Sequence, residues 1–145
     1  KIPIYGDGSQ IRDWLHVEDH VNAIYEIITS PMVGETFNIG GNSEKTNIDV
    51  VTSICNELDL MKPDLNNKSY KELISFVSDR PGHDLRYAID SSKIQKQLNW
   101  KPMIKFEEGL RKTIEWYLDN KKWCDNVRDK SNYSGERLGI SKSKI

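Results

Sequence analysis

The residues with the densest potential for chemistry lie between positions 79 and 90, which read Asp-Arg-Pro-Gly-His-Asp-Leu-Arg-Tyr-Ala-Ile-Asp. Two arginines, a histidine and three carboxylates surround a Pro-Gly pair, which favours a tight bend. An arginine guanidinium presents a planar set of donors that matches phosphate oxygens two at a time. Arg80 and His83 therefore flank a candidate anion-binding corner. A surface turn with solvated charges is the alternative on composition alone.

A second arginine corner lies near the start of the chain, where Gly6-Asp7-Gly8-Ser9 precedes Arg12. The two glycines resemble the start of a phosphate-binding loop. However, Ile11 stands where a dinucleotide fingerprint needs its third glycine, and a strand rather than a helix is expected to follow, so we reject the fingerprint. Tyr5 is either a stacking surface for a planar base or an ordinary strand aromatic. Arg12 is either a second anion ligand or a member of a structural ion pair.

Two further patterns suggest chemistry that we do not assign to this chain. His16 and His20 straddle an expected strand-to-helix junction without an obvious third ligand, so capping and packing are favoured over metal binding. Tyr117 and Lys121 form a Tyr-x-x-x-Lys pair, in which lysine would favour the phenolate, but they lie at the end of the last long helix. We interpret that match as accidental. The sequence predicts a binding unit with no catalytic residue and no metal.

Composition excludes several classes of function. The chain has 145 residues, enough for one domain with a core, and its net charge is −1. This balance gives no electrostatic footprint for nucleic acid, and no apolar run approaches the roughly 18 residues of a membrane helix. Cys55 lies on the apolar side of a helical pattern, and its spacing from Cys124 fits no metal site. Reduced thiols and a cytoplasmic location are therefore expected.

The elements that must position the two corners alternate between strands and helices. Strands are predicted at residues 2–5, 11–17, 36–39, 74–77 and 87–89. Helices are predicted to begin at Glu18, at Thr46 or Asn47, at Asp90 or Ser91, and at Phe106. After Trp123 the chain turns polar, and a loose tail is expected from residue 132. The predicted class is α/β, with a smaller mixed α+β unit in the later part.

Several segments together resemble the substrate side of the dTDP-glucose 4,6-dehydratases, which are extended short-chain dehydrogenases. The resemblance covers residue 3 to about residue 127. The segments that carry it are Pro3-Ile4-Tyr5-Gly6, Gln10-Ile11-Arg12-Asp13-Trp14-Leu15, Asn38-Ile39-Gly40-Gly41, Asn47-Ile48-Asp49-Val50-Val51, Asp79-Arg80-Pro81-Gly82-His83-Asp84, Asn99-Trp100-Lys101-Pro102 and Glu115-Trp116-Tyr117-Leu118.

The resemblance implies the carboxy-terminal part of an NAD-binding, Rossmann-type enzyme with a small α+β substrate lobe. Residues 1–41 would complete the Rossmann side or hinge, residues 42–127 would form the nucleotide-sugar-binding lobe, and residues 128–145 would be a polar tail. The opening strand at residues 2–5 lacks a preceding cap, which also favours a longer protein. NAD and the catalytic residues would then belong to an amino-terminal domain. A homodimer is implied as well.

Position by position, the resemblance also implies contacts to a dTDP-sugar substrate. Pro3, Ile4 and Tyr5 match contacts near the nucleotide. Contacts to the diphosphate and ribose region are matched by Arg12, Asn47, Asp79, Arg80, Pro81, Gly82 and His83. Tyr133, in the tail, is the candidate for a further substrate contact.

The function implied is the substrate-binding portion of a dehydratase that oxidises C4 of the glucose with NAD, eliminates water across C5 and C6, and returns the hydride to C6. This portion alone is expected to give no turnover. A UDP-sugar epimerase or decarboxylase is one alternative, although such enzymes usually lack Arg-Asp-Trp-Leu and Asp-Arg-Pro-Gly-His-Asp. A stand-alone binding module without catalysis is another.

Overall fold

The computed structural model describes residues 1–131, which form two short strand pairs and a set of helices around them. The strands are β1 (Ile2–Tyr5), β2 (Ile11–Asp13), β3 (Glu44–Thr46) and β4 (Ile74–Val77). The helices are α1 (Val17–Thr29), α2 (Asn47–Met61), α3 (Ser92–Leu98), α4 (Phe106–Asp119) and α5 (Lys121–Ser131), with a short 3-10 helix at Tyr70–Leu73. The predicted α/β class is confirmed.

Strand pairing joins distant parts of the chain. β1 runs parallel to β4, with Tyr5 opposite Val77, and β2 runs antiparallel to β3. On its other edge β2 meets residues 85–87 in a single parallel bridge. There the Ile11 N–H donates to the Leu85 carbonyl at 2.7 Å, and the Tyr87 N–H donates to the Ile11 carbonyl at 3.0 Å. The segment that follows the Pro-Gly corner is thereby fixed beside Arg12.

Helix α1 is attached at its first turn to a segment far along the chain. His16 is its N-cap, and its ring nitrogen accepts a hydrogen bond from the Glu18 N–H. Asp19 is only 2% exposed, and its two carboxylate oxygens accept from the backbone N–H groups of Met103 and Ile104. Burying a carboxylate is costly unless it is hydrogen-bonded, so this acidic residue is structural.

The core lies between α1, α3 and the loops on either side of them. Ala23 and Ile94 are fully buried and pack with Trp100, and five partly buried side chains surround them: Leu15, Ile27, Phe37, Ile39 and Leu98. Removing such apolar surface from water is the main favourable term in folding. Because Leu15 follows β2, this core also supports the strand that carries Arg12.

Helix α2 begins against the glycine turn and ends near β4. Its N-cap is Thr46, one of the two residues predicted for this role, and the Thr46 hydroxyl accepts a hydrogen bond from the Asp49 N–H. Towards its end, Asp59 accepts from the Ser69 hydroxyl and the Tyr70 N–H. These bonds tie α2 to the 3-10 helix that leads directly into β4. They hold the pKa of Asp59 below its ordinary value, with the Ser69 bond as the first cause.

Several predicted elements differ from the structure. Residues 36–39 and 87–89 are not strands, and β2 ends at Asp13 rather than at residue 17. Neither segment has a backbone partner along its whole length among residues 1–131. In residues 36–39 a backbone group bonds to a side chain instead, because Lys93 donates to the Thr36 carbonyl. The polar stretch after Trp123 is part of a helix, α5. No helix among residues 1–131 has the length and apolar character needed to cross a membrane.

Candidate functional site

The two corners predicted from the sequence leave the same edge of the β1–β4 pair. Since these strands are parallel, their carboxyl ends are neighbours, and the Gly6 N–H donates to the Val77 carbonyl at 3.0 Å. The ring of Tyr5 lies edge-on to that of His83, with 6.5 Å between centroids. Ligands of open α/β sheets bind beyond the carboxyl ends of parallel strands. The structure therefore forms a candidate site where the glycine turn meets the Pro-Gly corner.

The Pro-Gly corner is a tight bend, as predicted. Gly82 has a φ of +68°, a left-handed backbone conformation that glycine adopts at little cost. The Arg80 side chain is exposed and has no hydrogen-bond or ion-pair partner within residues 1–131. Its backbone N–H donates to the Asp79 carboxylate at 2.8 Å. The backbone of Arg80 is thus held in place while its guanidinium remains available to an anion.

His83 is held from one side by Asp79. The ring Nδ1 lies 2.7 Å from Asp79 Oδ1, and the His83 side chain is only 7% exposed. An ionised carboxylate can only accept hydrogen bonds, so Nδ1 carries the proton and Nε2 is the ring nitrogen left for another group. The bond to His83 is the main reason that the pKa of Asp79 lies below its ordinary value.

Arg12 is built into the second corner by backbone and aromatic contacts. Its guanidinium donates to the carbonyls of Ile11 (2.6 Å) and Asp84 (3.1 Å) and lies over the ring of Tyr87, 4.4 Å from the centroid. None of its partners within residues 1–131 is a carboxylate, so the alternative of a structural ion pair is wrong. Its positive charge therefore remains available to a ligand.

The two arginines act on one phenol. A hydrogen bond to the Asp84 carboxylate raises the pKa of Tyr87, and the charges of Arg12 and Arg80 oppose that rise. Of the two guanidiniums, that of Arg12 lies directly over the Tyr87 ring, and Arg80 belongs to the same 79–90 segment as Tyr87. Within residues 1–131 neither arginine has a carboxylate partner in a hydrogen bond or ion pair, so two cations on adjoining corners suit a ligand that carries two neighbouring negative charges.

The other arginine of the 79–90 segment has a structural role. Arg86 donates two hydrogen bonds to the Glu44 carboxylate, at 2.6 and 2.7 Å. This pair raises the pKa of Arg86 and lowers that of Glu44, in each case mainly through the hydrogen bond. It fastens residues 85–87 to β3. Because the Glu44 carboxylate already neutralises its charge, Arg86 is not a candidate ligand for an anion.

Asn47 is brought to the site by the start of α2. Its N–H donates to the Gln10 carbonyl at 2.9 Å, and the next N–H, of Ile48, donates to the Gly8 carbonyl at 3.0 Å. A Cβ on Gly8 would lie 2.9 Å from side-chain atoms of both Ile4 and Ile48, so only glycine fits this approach. Half-buried Asn47 therefore lies beside the glycine turn, at the positive end of a 15-residue helix.

The remaining predicted contacts fall into three groups. Pro3 is exposed on β1 and Tyr5 is half-buried at its end, both near the corner, whereas Ile4 is buried and its side chain packs under the glycine turn. Pro81 is exposed beside Gly82. Tyr133 lies outside the described residues.

Sequence reasoning missed Gln10 as a functional candidate. This glutamine is only 5% exposed, and its Nε2 donates to Asp79 Oδ2 at 3.1 Å across 69 positions of sequence. The only signal available was a glutamine inside a glycine turn that precedes an arginine.

An open cavity of about 640 Å³ lies elsewhere, and none of the corner residues lines it. Its walls include five aromatic residues: Trp14, Phe106, Trp116, Tyr117 and Trp123. Tyr117, the tyrosine of the Tyr-x-x-x-Lys pair, is more than half exposed here. Of the two lysines that line the cavity, Lys112 is paired with Glu108, so the corners with their two arginines are the stronger candidate for binding an anion.

Comparison with known proteins identifies the family of this chain. The GDP-mannose 4,6 dehydratase family matches residues 1–113. A dTDP-glucose 4,6-dehydratase of Escherichia coli is 57% identical over 142 residues, which are 96% of this chain and 39% of that protein. One from Neisseria meningitidis is 55% identical over 143 residues, 97% of this chain and 40% of that protein. The chain thus spans about two fifths of these relatives.

Solved structures give the same result. A dTDP-glucose 4,6-dehydratase from Bacillus anthracis, in complex with NAD, has a TM-score of 0.69 and 44% identity, over 85% of this chain and 36% of that one. A Streptomyces venezuelae dTDP-glucose 4,6-dehydratase with NAD and TYD bound has a TM-score of 0.71 and 36% identity, over 83% and 35%. A Thermotoga maritima UDP-glucose 4-epimerase with UDP-glucose has a TM-score of 0.70 but 25% identity, over 83% and 36%.

The expected resemblance to dTDP-glucose 4,6-dehydratases and the expected fold are confirmed by these matches. The epimerase shares the fold at lower identity, so the epimerase alternative is not favoured. Since the family match extends over residues 1–113 of 145, this chain belongs to the GDP-mannose 4,6 dehydratase family.

Proposed function

We propose that this chain is the nucleotide-sugar-binding portion of an NAD-dependent dTDP-glucose 4,6-dehydratase, which converts dTDP-glucose to the 4-keto-6-deoxy sugar and water. The observation that carries the proposal is that backbone bonds join the segment of Arg12 to the one that follows Arg80, and that neither arginine side chain has a carboxylate partner within residues 1–131. The similarity to proteins named dTDP-glucose 4,6-dehydratase supplies the substrate class.

The proposed role of the two corners is to hold the diphosphate. Arg80 can form paired hydrogen bonds with phosphate oxygens because its fork of donors is free. Arg12 adds a second positive charge from a guanidinium that its carbonyl bonds have already oriented. His83 contributes Nε2, and Asn47 places an amide at a helix N-terminus, where negative charge is favoured. Pro3 and Tyr5 would contact the nucleotide from the end of β1.

The residues present here do not fit NAD. The glycine turn resembles a phosphate loop in sequence, but its N–H groups are engaged: Gly6 donates to Val77, and Gly8 donates to the Tyr5 carbonyl at 3.3 Å. Ile4 and Ile48 also pack against Gly8 where a side chain would otherwise stand. We therefore assign NAD and the catalytic residues to a part of the full-length protein outside this chain. This chain would bind and orient the nucleotide-sugar. Residues 1–41 would complete the Rossmann side or hinge, residues 42–127 would form the nucleotide-sugar-binding lobe, and residues 128–145 would be a polar tail.

Two further statements rest on the family resemblance and belong to the same proposal. The full-length protein is proposed to act as a homodimer in the cytoplasm. Tyr133 is proposed as an additional substrate contact. Sedimentation of the full-length protein tests the first, and a Tyr133→Phe variant with unchanged substrate affinity would contradict the second.

The proposal is tested by turnover and by binding. The full-length protein should convert dTDP-glucose faster than UDP-glucose or GDP-mannose. Formation of the 4-keto product measures the rate. Equal or better turnover of either competitor contradicts the nucleotide assignment.

Arg80→Ala should weaken dTDP binding by about 1.5–3 kcal/mol in calorimetry, the value of a hydrogen bond to a charged group. Arg128→Ala, which changes an exposed arginine of α5, is the control. Equal affinities in the two variants would mean that Arg80 does not bind the anion.

A further inference from the structure

We propose that Gln10 and Asp79 are positioning residues that orient His83, and that Asp79 does not itself bind the nucleotide-sugar. The inference rests on the proposed function and deepens it, because it divides the residues of the corner into those that touch the ligand and those that act through another side chain.

The hydrogen bonds of Asp79 carry the first step. Oδ1 accepts from His83 Nδ1 at 2.7 Å and from the Arg80 N–H at 2.8 Å, while Oδ2 accepts from Gln10 Nε2 at 3.1 Å. Both oxygens are therefore already engaged by protein donors. A carboxylate would also repel a diphosphate. Asp79 is thus unsuited to direct contact with such a ligand, although it lies within the corner.

Gln10 connects the parts of the site from beneath. Its side chain reaches Asp79, and its carbonyl accepts from the N–H of Asn47 at 2.9 Å. A Cβ on Gly6 would lie 3.0 Å from Asp79 Oδ2 and 3.4 Å from Gln10 Nε2. The glycine turn therefore leaves the space in which the amide and the carboxylate meet. One buried residue links the turn after β1, the start of α2 and the Pro-Gly corner.

The cost of burying Gln10 supports a specific role. Its Oε1 is buried and has no hydrogen-bond partner among residues 1–131. A buried acceptor without a donor is unfavourable, and an apolar side chain of similar size would avoid that cost. A buried polar atom without a partner calls for an explanation, and the bond that the same amide makes to Asp79 supplies one. The bond from Nε2 to Asp79 is the interaction that an apolar replacement would lose.

The first experiment measures dTDP affinity of the full-length protein by calorimetry. If Asp79 only places negative charge near the anion, Asp79→Ala should tighten binding. Positioning of His83 predicts the opposite sign, a loss of about tenfold, as expected when a hydrogen bond to a charged group is lost. Affinity that is unchanged or improved in Asp79→Ala overturns the proposal.

The second experiment tests whether Gln10 acts through His83. Gln10→Met should weaken dTDP binding about three- to tenfold, and the effect should shrink to less than about twofold in a His83→Ala background, because interacting residues are not additive. Gln95→Met is the matched control, since Gln95 lies in α3 and its amide donates to the hydroxyl of Ser91, which precedes that helix. Equal effects in both backgrounds would mean that Gln10 has only a structural role.

A third measurement needs no ligand. Selective ¹⁵N labelling of histidine reports which ring nitrogen carries the proton, and His83→Gln assigns the signal. In the unliganded full-length protein His83 should carry its proton on Nδ1, and Asp79→Ala should remove that preference. An unchanged tautomer in Asp79→Ala refutes the positioning role. If the wild-type protein shows the tautomer but fails to bind dTDP, the proposed function fails while the orientation of His83 by Asp79 stands.

Discussion

Replacing Asp19 by asparagine will release residues 103–104 from the first turn of α1. The carboxylate accepts from the N–H groups of Met103 (3.1 Å) and Ile104 (2.9 Å) and is 2% exposed. Asparagine retains one acceptor oxygen, so one of the two N–H groups would face an amide NH₂. Leaving a buried donor unpaired costs about 1–3 kcal/mol, and the loss of charge weakens the remaining bond by about 1 kcal/mol.

Asp49→Asn is the matched control. Asp49 also lies in the first turn of a helix, but it is exposed, so its replacement loses only the interaction with the helix dipole, about 0.3–1 kcal/mol. Both variants lose that term, so Asp19→Asn should be worse by the unpaired donor and the weakened bond together, at least about 2 kcal/mol. This is a local effect, because the two bonds join one loop to one helix.

Amide hydrogen exchange measures this effect directly. A difference of about 2 kcal/mol corresponds to exchange roughly 30-fold faster at the Met103 and Ile104 amides. Mass spectrometry of a peptide that contains both amides is sufficient, with the wild type and Asp49→Asn measured in parallel. If that peptide exchanges equally fast in the Asp19 and Asp49 variants, the buried carboxylate does not hold the loop, and the reasoning is refuted.

Two further changes test the packing. Gly41→Ala would place a Cβ 2.1 Å from the Trp14 carbonyl oxygen, so thermal unfolding should show a loss of about 3 kcal/mol in stability. Gly34→Ala is the comparison, because its Cβ would lie in open space at a φ of +79° and should cost about 1–2 kcal/mol. Equal losses of stability in the two variants would contradict the close approach at Gly41. Burial raises the pKa of the Cys55 thiol, so native Cys55 should react with a thiol reagent more slowly than partly exposed Cys124. Mass spectrometry of the labelled peptides checks this, and equal rates would mean that Cys55 is not enclosed.

Local sequence was sufficient for elements that stabilise themselves. Apolar residues at helical spacing predicted α1, α2, α3 and α4, and Thr46 was one of two predicted caps for α2 because its hydroxyl can accept from the first turn. The Pro-Gly pair predicted the tight bend, in which Gly82 has a positive φ. In each case the controlling interaction joins residues within about one turn, the range over which a sequence pattern is informative.

Strands were predicted less well, for a physical reason. The apolar residues at positions 36–39 and 87–89 favour an extended backbone, but a strand also requires a neighbour with which to form hydrogen bonds. Residues 74–77 find such a neighbour in β1, and within residues 1–131 the other two segments do not find one along their length. Helix α5 was missed because its polar surface concealed the apolar spacing of Trp123 and Val127.

Residue types alone identified the chemistry available at each corner: arginine forks, an imidazole and a bend that holds them. They could not show that the corners meet, because that depends on a parallel pairing of residues 2–5 with 74–77 and on a bridge between Ile11 and residue 86. Nor could they distinguish Arg86, paired with Glu44, from Arg80, whose guanidinium is free. Contacts between residues some 40 to 75 positions apart leave no periodic trace in a sequence, so the folded chain alone shows which charges remain for a ligand.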